Sequence, residues 1–221
     1  HTATATMVAM GIDLQRINEI TEQLQAEIRE QYDEPNAVIR GDDVDALGGN
    51  ALSTEDTAKV IGLLQSVPNG VESFSEDIEG LVQTSLNLGI IHLDDAMHLT
   101  FSVRSSVNAE KVELLEKLKA LADMFGGSYS LHGQYPAWEY KKESNLRDVM
   151  VKTYRDMFGK EAKVEAIHAG LECGLLKHKV PDMDMISIAP DIRDLHSPDE
   201  SLSVSSMARV WKLVCEMLKN A

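Results

Sequence analysis

The chain has 221 residues, 43% hydrophobic and 26% charged, the composition of an ordinary folded protein. Against 36 Asp and Glu stand 21 Lys and Arg, a formal charge of −15; without clustered basic residues this argues against nucleic acid as a partner. No run of about 18 apolar residues predicts a membrane span, no basic leader predicts export, and two cysteines without CxxC spacing, Cys173 and Cys215, read as reduced thiols in a cytoplasmic setting.

The first residues, His-Thr-Ala-Thr-Ala-Thr-Met-Val-Ala-Met, enter directly into an alternating strand pattern, so the sequence reads as one cut from something longer. Thr2 to Met10 is a predicted strand. Leu14, Ile17, Ile20, Leu24 and Ile28 recur at helical spacing. Asn36 to Arg40 suits a short strand, and Asp42 to Asn50, with Gly48 and Gly49, a loop. Ser53-Thr54-Glu55-Asp56 opens a second helix through Leu64, with carboxylates at its positive end. Pro68-Asn69-Gly70 signals a turn. Leu81 to Ile91 and Ala96 to Ser105 form a predicted hairpin joined at Asp94-Asp95. Asn108 is the expected cap of a third helix whose apolar face is Val112, Leu115, Leu118, Leu121 and Ala122, ended by Gly126-Gly127. Ser128 to Gly133 reads as another strand.

Beyond residue 134 the pattern changes to alternation: helix (Asn145 to Phe158), strand (Lys163 to Ala169), helix (Leu171 to His178), strand (Met185 to Ala189) and helix (Val204 to Leu218). Alternation of this kind implies a parallel or mixed sheet with crossover helices. In the last helix Val204, Met207, Trp211, Val214 and Leu218 form the expected buried stripe. The fold class is therefore α/β: an α+β part over 1–133, with an antiparallel sheet packed on two helices, then 134–221 with alternating helices and strands.

Three segments carry residues of chemical interest. His168-Ala169-Gly170-Leu171-Glu172-Cys173-Gly174 sits where a predicted strand hands over to a helix, the place where open α/β sheets bind ligands. Gly170 would let a backbone approach a ligand closely, and Glu172 lies in the first helical turn; a plain strand-to-helix turn explains the same residues. His196 follows Ser-Ile-Ala-Pro-Asp-Ile-Arg-Asp-Leu, with Asp194, Asp199 and Glu200 nearby. Imidazole oriented by carboxylates suits a metal ligand, while Ser197-Pro198-Asp199-Glu200 also reads as a capping box that His196 merely precedes. Arg104 ends a strand of apolar and small residues and could grip a carboxylate bidentately, or be a solvated strand-end charge. His92, His98 and His178 read as exposed. No phosphate loop, GxSxG elbow or HExxH motif is present.

HAGLECG at 168–174 and MISIAPDIRDLHSPDE at 185–200 together resemble the aminoacyl-histidine (Xaa-His) dipeptidases, carnosinase-like two-zinc metallopeptidases. The likeness extends through Val67-Pro68-Asn69-Gly70-Val71, Thr84-Ser85-Leu86-Asn87-Leu88-Gly89, Val103-Arg104-Ser105 and Gly133-Gln134-Tyr135-Pro136-Ala137-Trp138. It implies that residues 1–133 are the later part of a lid that also mediates homodimerisation, and 134–221 the C-terminal segment of the catalytic domain. By the same resemblance His196 is the last zinc ligand, Arg104 holds the carboxylate of the dipeptide substrate, and Gly170 and Glu172 belong to the substrate-facing turn. The other ligands of the two zinc ions and the general-base glutamate come, in that family, from an N-terminal half that this sequence does not contain. The resemblance therefore implies a dipeptidase whose isolated C-terminal portion is inactive, with no catalytic residue of its own. A dimerisation module, or a homologue that has lost its metal site, is the rival reading.

Overall fold

The structure, a computed structural model, describes residues 3–8, 11–42, 51–166 and 171–220. The chain forms two compact units, His1–Ile61 and Gly62–Ala221.

In the first unit, helix α1 (Leu14–Gln31) begins where the Asp13 carboxylate accepts the Arg16 N–H at 2.9 Å, a side-chain cap satisfying one of the donors a helix start leaves free. The predicted apolar stripe is there, but no residue of α1 is buried. The predicted strand Asn36 to Arg40 forms no ladder. Its backbone bonds to the helix instead: the Ile39 N–H donates to the Gln25 side chain at 3.0 Å, and Arg29 donates to the Ala37 carbonyl at 2.8 Å. Residues 3–8 of the predicted first strand likewise form none. Helix α2 (Thr54–Ser66) starts as the sequence suggests, with the Ser53 hydroxyl accepting the Asp56 N–H at 3.0 Å.

The second unit is built on a three-stranded antiparallel sheet in the order β1 (Gly70–Phe74), β2 (Val82–Leu93), β3 (Met97–Ser105). The β2–β3 hairpin matches the sequence reading. Strand β1 does not appear there, because Gly-Val-Glu-Ser-Phe is short, starts on a positive-φ glycine and pairs through register shifts between Val71 and Phe74. Alternation along β2 sends Thr84 and Leu86, each 2% exposed, to one face; Ser85 and Asn87 point to the other. Helix α3 (Asn108–Met124) buries Leu114, not part of the expected face, and leaves Val112 exposed. Asn108 does not cap it. The N-cap is Val107, and the Asn108 amide oxygen is taken up by the Ala137 N–H at 2.9 Å. Gly126, at φ +74°, follows the helix end, where the backbone must turn left-handed.

Further along lie α4 (Asn145–Phe158), α5 (Glu172–Lys179), two short paired strands β4 (Ile192–Arg193) and β5 (Ser201–Leu202), and α6 (Val204–Asn220). Ser144 caps α4 by accepting the Arg147 N–H at 3.1 Å, while its hydroxyl donates to Asp184 at 3.0 Å. Met150 of α4 packs with Leu213 and Met217 of α6, surrounded by Leu146, Val149, Tyr154, Phe158 and Ile186. This corrects the expected face of α6: Leu213, Met217 and Ser206 are buried, while Val204, Met207, Trp211 and Leu218 point outward. The stripe with the cleaner spacing is not the one α4 covers. The predicted strands at 128–133 and 185–189, and the described part of that at 163–169, form no ladder. A period-2 pattern is necessary for a strand but a hydrogen-bonding partner makes it one, and none of these segments has one among the described residues.

Candidate functional site

Strand alternation fixes where Arg104 goes. In the β2–β3 register Arg104 faces Ser85 and Ser102 faces Asn87, so these four side chains share the face of the sheet opposite Thr84 and Leu86. They line an open depression of about 410 Å³, completed by Asn69, Gly70, Val71 and Leu86. Among the described residues no carboxylate lines it. Among the described residues the Arg104 guanidinium has no ion-pair partner or hydrogen bond. A second depression, of about 370 Å³, contains Arg209, but that guanidinium is already held 3.3 Å from the Asp191 carboxylate. Of the two guanidiniums, Arg104 is the one free to receive an anion, on a surface lined by hydroxyls and amides, while Lys160 is a further cation of the second depression.

The platform under Arg104 is tied down from the other face. Glu110, in the first turn of α3, accepts from the Ser73 hydroxyl of β1 at 2.6 Å and from the Gln83 amide and Thr84 hydroxyl of β2. Thr84 is in turn 2.8 Å from the Ser105 hydroxyl of β3. One carboxylate thus fastens the helix start to the sheet. Burial raises the Glu110 pKa, but the hydrogen bonds from Ser73, Thr84 and Gln83 outweigh it and hold the carboxyl below its ordinary range. At the rim, the Asn69 side chain accepts the Leu88 N–H at 2.8 Å and pins the 68–70 turn against β2. Sequence reading missed the Glu110 clasp; its partners lie 26 to 37 residues away, and no local spacing announces them.

Two of the motifs that carry the family resemblance are packed together. A Cβ on Gly174 would lie 2.6 Å from the Pro136 carbonyl oxygen, so α5 rests directly on the 136–138 backbone. That backbone is also anchored on α3, through Asn108 and through Lys111, whose ammonium donates to the Tyr135 carbonyl. Glu172 is exposed in the first turn of α5, beside the N-cap Leu171, which makes no side-chain cap. Gly170 and His168 lie outside the described residues.

His196 sits in the loop of the β4–β5 hairpin, not before a helix. The Ser197-Pro198-Asp199-Glu200 segment caps nothing: α6 starts at Val204, and the Ser203 hydroxyl accepts the Ser206 N–H at 3.3 Å. Glu200 instead accepts the His196 N–H at 2.9 Å, closing the loop. Both Asp194 (φ 52°) and His196 (φ 64°) are left-handed, and among the described residues only Asp33 joins them as a non-glycine at positive φ. Backbone in that region costs about 1–2 kcal/mol per residue and gathers where a side chain must be aimed. The imidazole of His196 is exposed. Among the described residues no group of three or more His, Cys, Asp or Glu could hold a metal ion, so the donors in hand fit one corner of a zinc site and not a site.

Residues 9–220 match the family model described as "Peptidase family M20/M25/M40". The chain belongs to this family. It is 34% identical, over 98% of its length and 45% of the relative's, to the cytosol non-specific dipeptidase of Escherichia coli (strain K12). It superposes on the crystal structure of aminoacylhistidine dipeptidase from Vibrio alginolyticus with a TM-score of 0.81 and 28% identity, covering 93% of this chain and 42% of that one. Aminopeptidase PepT from Bacillus cereus ATCC 10987 shares the fold at 14% identity and a TM-score of 0.57, over 73% of this chain and 44% of that one. The M20 chain thus spans a little under half the length of the dipeptidases it matches, and the α/β class is the one they share. No helix among the described residues is long and apolar enough to cross a membrane.

Proposed function

We propose that this chain is the substrate-gripping and C-terminal portion of a cytoplasmic, zinc-dependent dipeptidase that cleaves Xaa-His dipeptides. The observation that carries the reading is Arg104: a guanidinium without a counter-ion among the described residues, on a polar sheet face, in a chain similar to enzymes named as dipeptidases. A dipeptide's free carboxylate is the anion such a fork receives in two parallel hydrogen bonds. Fixing that end limits the substrate to two residues, because a longer peptide would place its carboxylate elsewhere. Gly170 and Glu172 would border the substrate at the strand-to-helix turn. In this reading residues 1–133 belong to a lid that pairs two copies of the protein, and 134–221 to the catalytic domain.

Zinc enters the reading through His196 alone. Its exposed imidazole, carried on two left-handed residues, supports a ligand role, but one imidazole does not retain the ion, and further donors would have to come from polypeptide outside this sequence. No bond-breaking step is therefore assigned to residues of this chain. Two outcomes follow. The purified 221-residue chain, supplied with zinc, hydrolyses no Xaa-His dipeptide; hydrolysis would refute the reading. In the natural gene product His196→Ala lowers bound zinc and abolishes activity, and unchanged zinc content would remove His196 from the site.

A further inference from the structure

Asn69 is the one asparagine of the chain that is followed by glycine, and it carries two observations that a plain turn does not need. Its side chain lines the Arg104 depression, and its amide oxygen accepts the Leu88 N–H at 2.8 Å. The residue is exposed and precedes β1, outside any helix or strand. Gly70 follows at φ +103°, a backbone that favours glycine, and a Cβ built there would meet nothing within 4 Å. No side chain at Gly70 therefore shields its nitrogen from the Asn69 side-chain carbon. An asparagine so placed is thermolabile. With its proton taken by solvent base, the Gly70 nitrogen attacks Cγ; the N–Cγ bond forms, the Cγ–Nδ2 bond breaks, and ammonia leaves. Water then opens the cyclic imide at one or the other carbonyl, giving aspartate or isoaspartate, and nothing is oxidised or reduced. During the attack negative charge collects on Oδ1, where the Leu88 N–H already points.

We propose that Asn69 is a self-modifying site, whose deamidation places a carboxylate in the Arg104 depression and weakens its hold on an anion. The proposal rests on the dipeptidase reading above for the identity of that anion, a dipeptide's free carboxylate. Among the described residues no carboxylate lines the depression beforehand. The change therefore gives the Arg104 guanidinium an internal competitor of the same chemical class as the end of the substrate. The isoaspartate form also adds a methylene to the main chain and re-aims the acceptor held by Leu88, beside the Gly70–Leu86 pair that opens the β1–β2 ladder. Asn87 lines the same depression, but it lies within β2 and is followed by a leucine, so ladder and side chain both oppose ring closure there.

The test ages the natural gene product at mildly alkaline pH and follows it by peptide mass spectrometry and by kinetics on a Xaa-His dipeptide and its C-terminal amide. Conversion is expected at Asn69 well ahead of Asn87. As it proceeds, KM for the dipeptide should rise about two- to fivefold, the factor expected of an exposed ion pair, while KM for the amide stays level. Asn69→Gln, whose longer side chain closes a ring far more slowly, should show no drift with age. Asn69→Asp should carry the raised KM from the start. An Asn69 that stays intact in an active protein overturns the proposal and leaves the dipeptidase reading standing. So does conversion with a steady dipeptide KM, or an equal drift in Asn69→Gln. No dipeptide hydrolysis by the fresh gene product overturns that reading and the proposal together.

Discussion

Single residues hold the candidate site in shape more than they form it. Glu110 is the clearest case, since its carboxylate answers three donors from two strands. Its pKa lies below the ordinary range in the folded chain, so the stabilisation it contributes is complete above the unfolded-state value. It is lost as pH falls through the folded-state value. Asp184 follows the same rule: burial raises its pKa, and the bonds from Leu146 and Ser144, with Lys141 nearby, bring it below normal. Glu110→Gln is expected to cost about 1–3 kcal/mol at neutral pH and to flatten the loss of stability at acid pH, measured by urea unfolding at both. Gly174→Ala sets two effects against each other. Alanine favours a helix by about 1 kcal/mol over glycine, but its Cβ would meet the Pro136 carbonyl at 2.6 Å. A backbone atom cannot swing aside, and overpacking costs about 1–3 kcal/mol. A lower thermal midpoint is expected, and a higher one would mean that α5 does not rest on this backbone. The place of Arg104 near the end of a strand was legible from sequence, because the run before it is apolar and small. The left-handed backbone at Asp194 and His196 was not, since neither residue type demands it.

At the scale of elements, periodicity carried the helices and the β2–β3 hairpin, where local pattern and tertiary packing agree. It failed for β1, too short and polar to stand out, and for the strands proposed at 36–40, 128–133 and 185–189, which have no pairing partner among the described residues. It also chose the wrong sector of α6. Spacing alone cannot say which side of a broadly apolar helix faces the core; the position of α4 decides that. Leu213→Ala should therefore destabilise the chain by about 2–4 kcal/mol, whereas Trp211→Ser should change its stability by less than about 0.5 kcal/mol. Equal losses by chemical denaturation would place α6 the other way round.

For the molecule as a whole, the sheet presents Arg104 on one face while Glu110 fastens the opposite face to α3. The family motifs at 133–138 and 168–174 meet at Gly174, on a backbone held by the start of the same helix. The Arg104 face and the Glu110 clasp are therefore linked within the second unit. What this sequence does not reveal is a set of metal ligands. A zinc site is assembled from side chains distant in sequence, and here one imidazole stands without a ligand set among the described residues. The charge of −15 makes the cationic depression more notable, because Arg104 offers a local attraction for an anion on an acidic chain.

Arg104 is proposed to recognise the substrate's carboxylate. This is tested most directly by steady-state kinetics of the natural gene product, wild type and Arg104→Ala, on one Xaa-His dipeptide and on its C-terminal amide. The substitution is expected to lower kcat/KM for the dipeptide about 10- to 100-fold, mainly through KM, and barely to alter it for the amide, which offers no carboxylate to bind. Equal effects on the two substrates, or none on either, would contradict it.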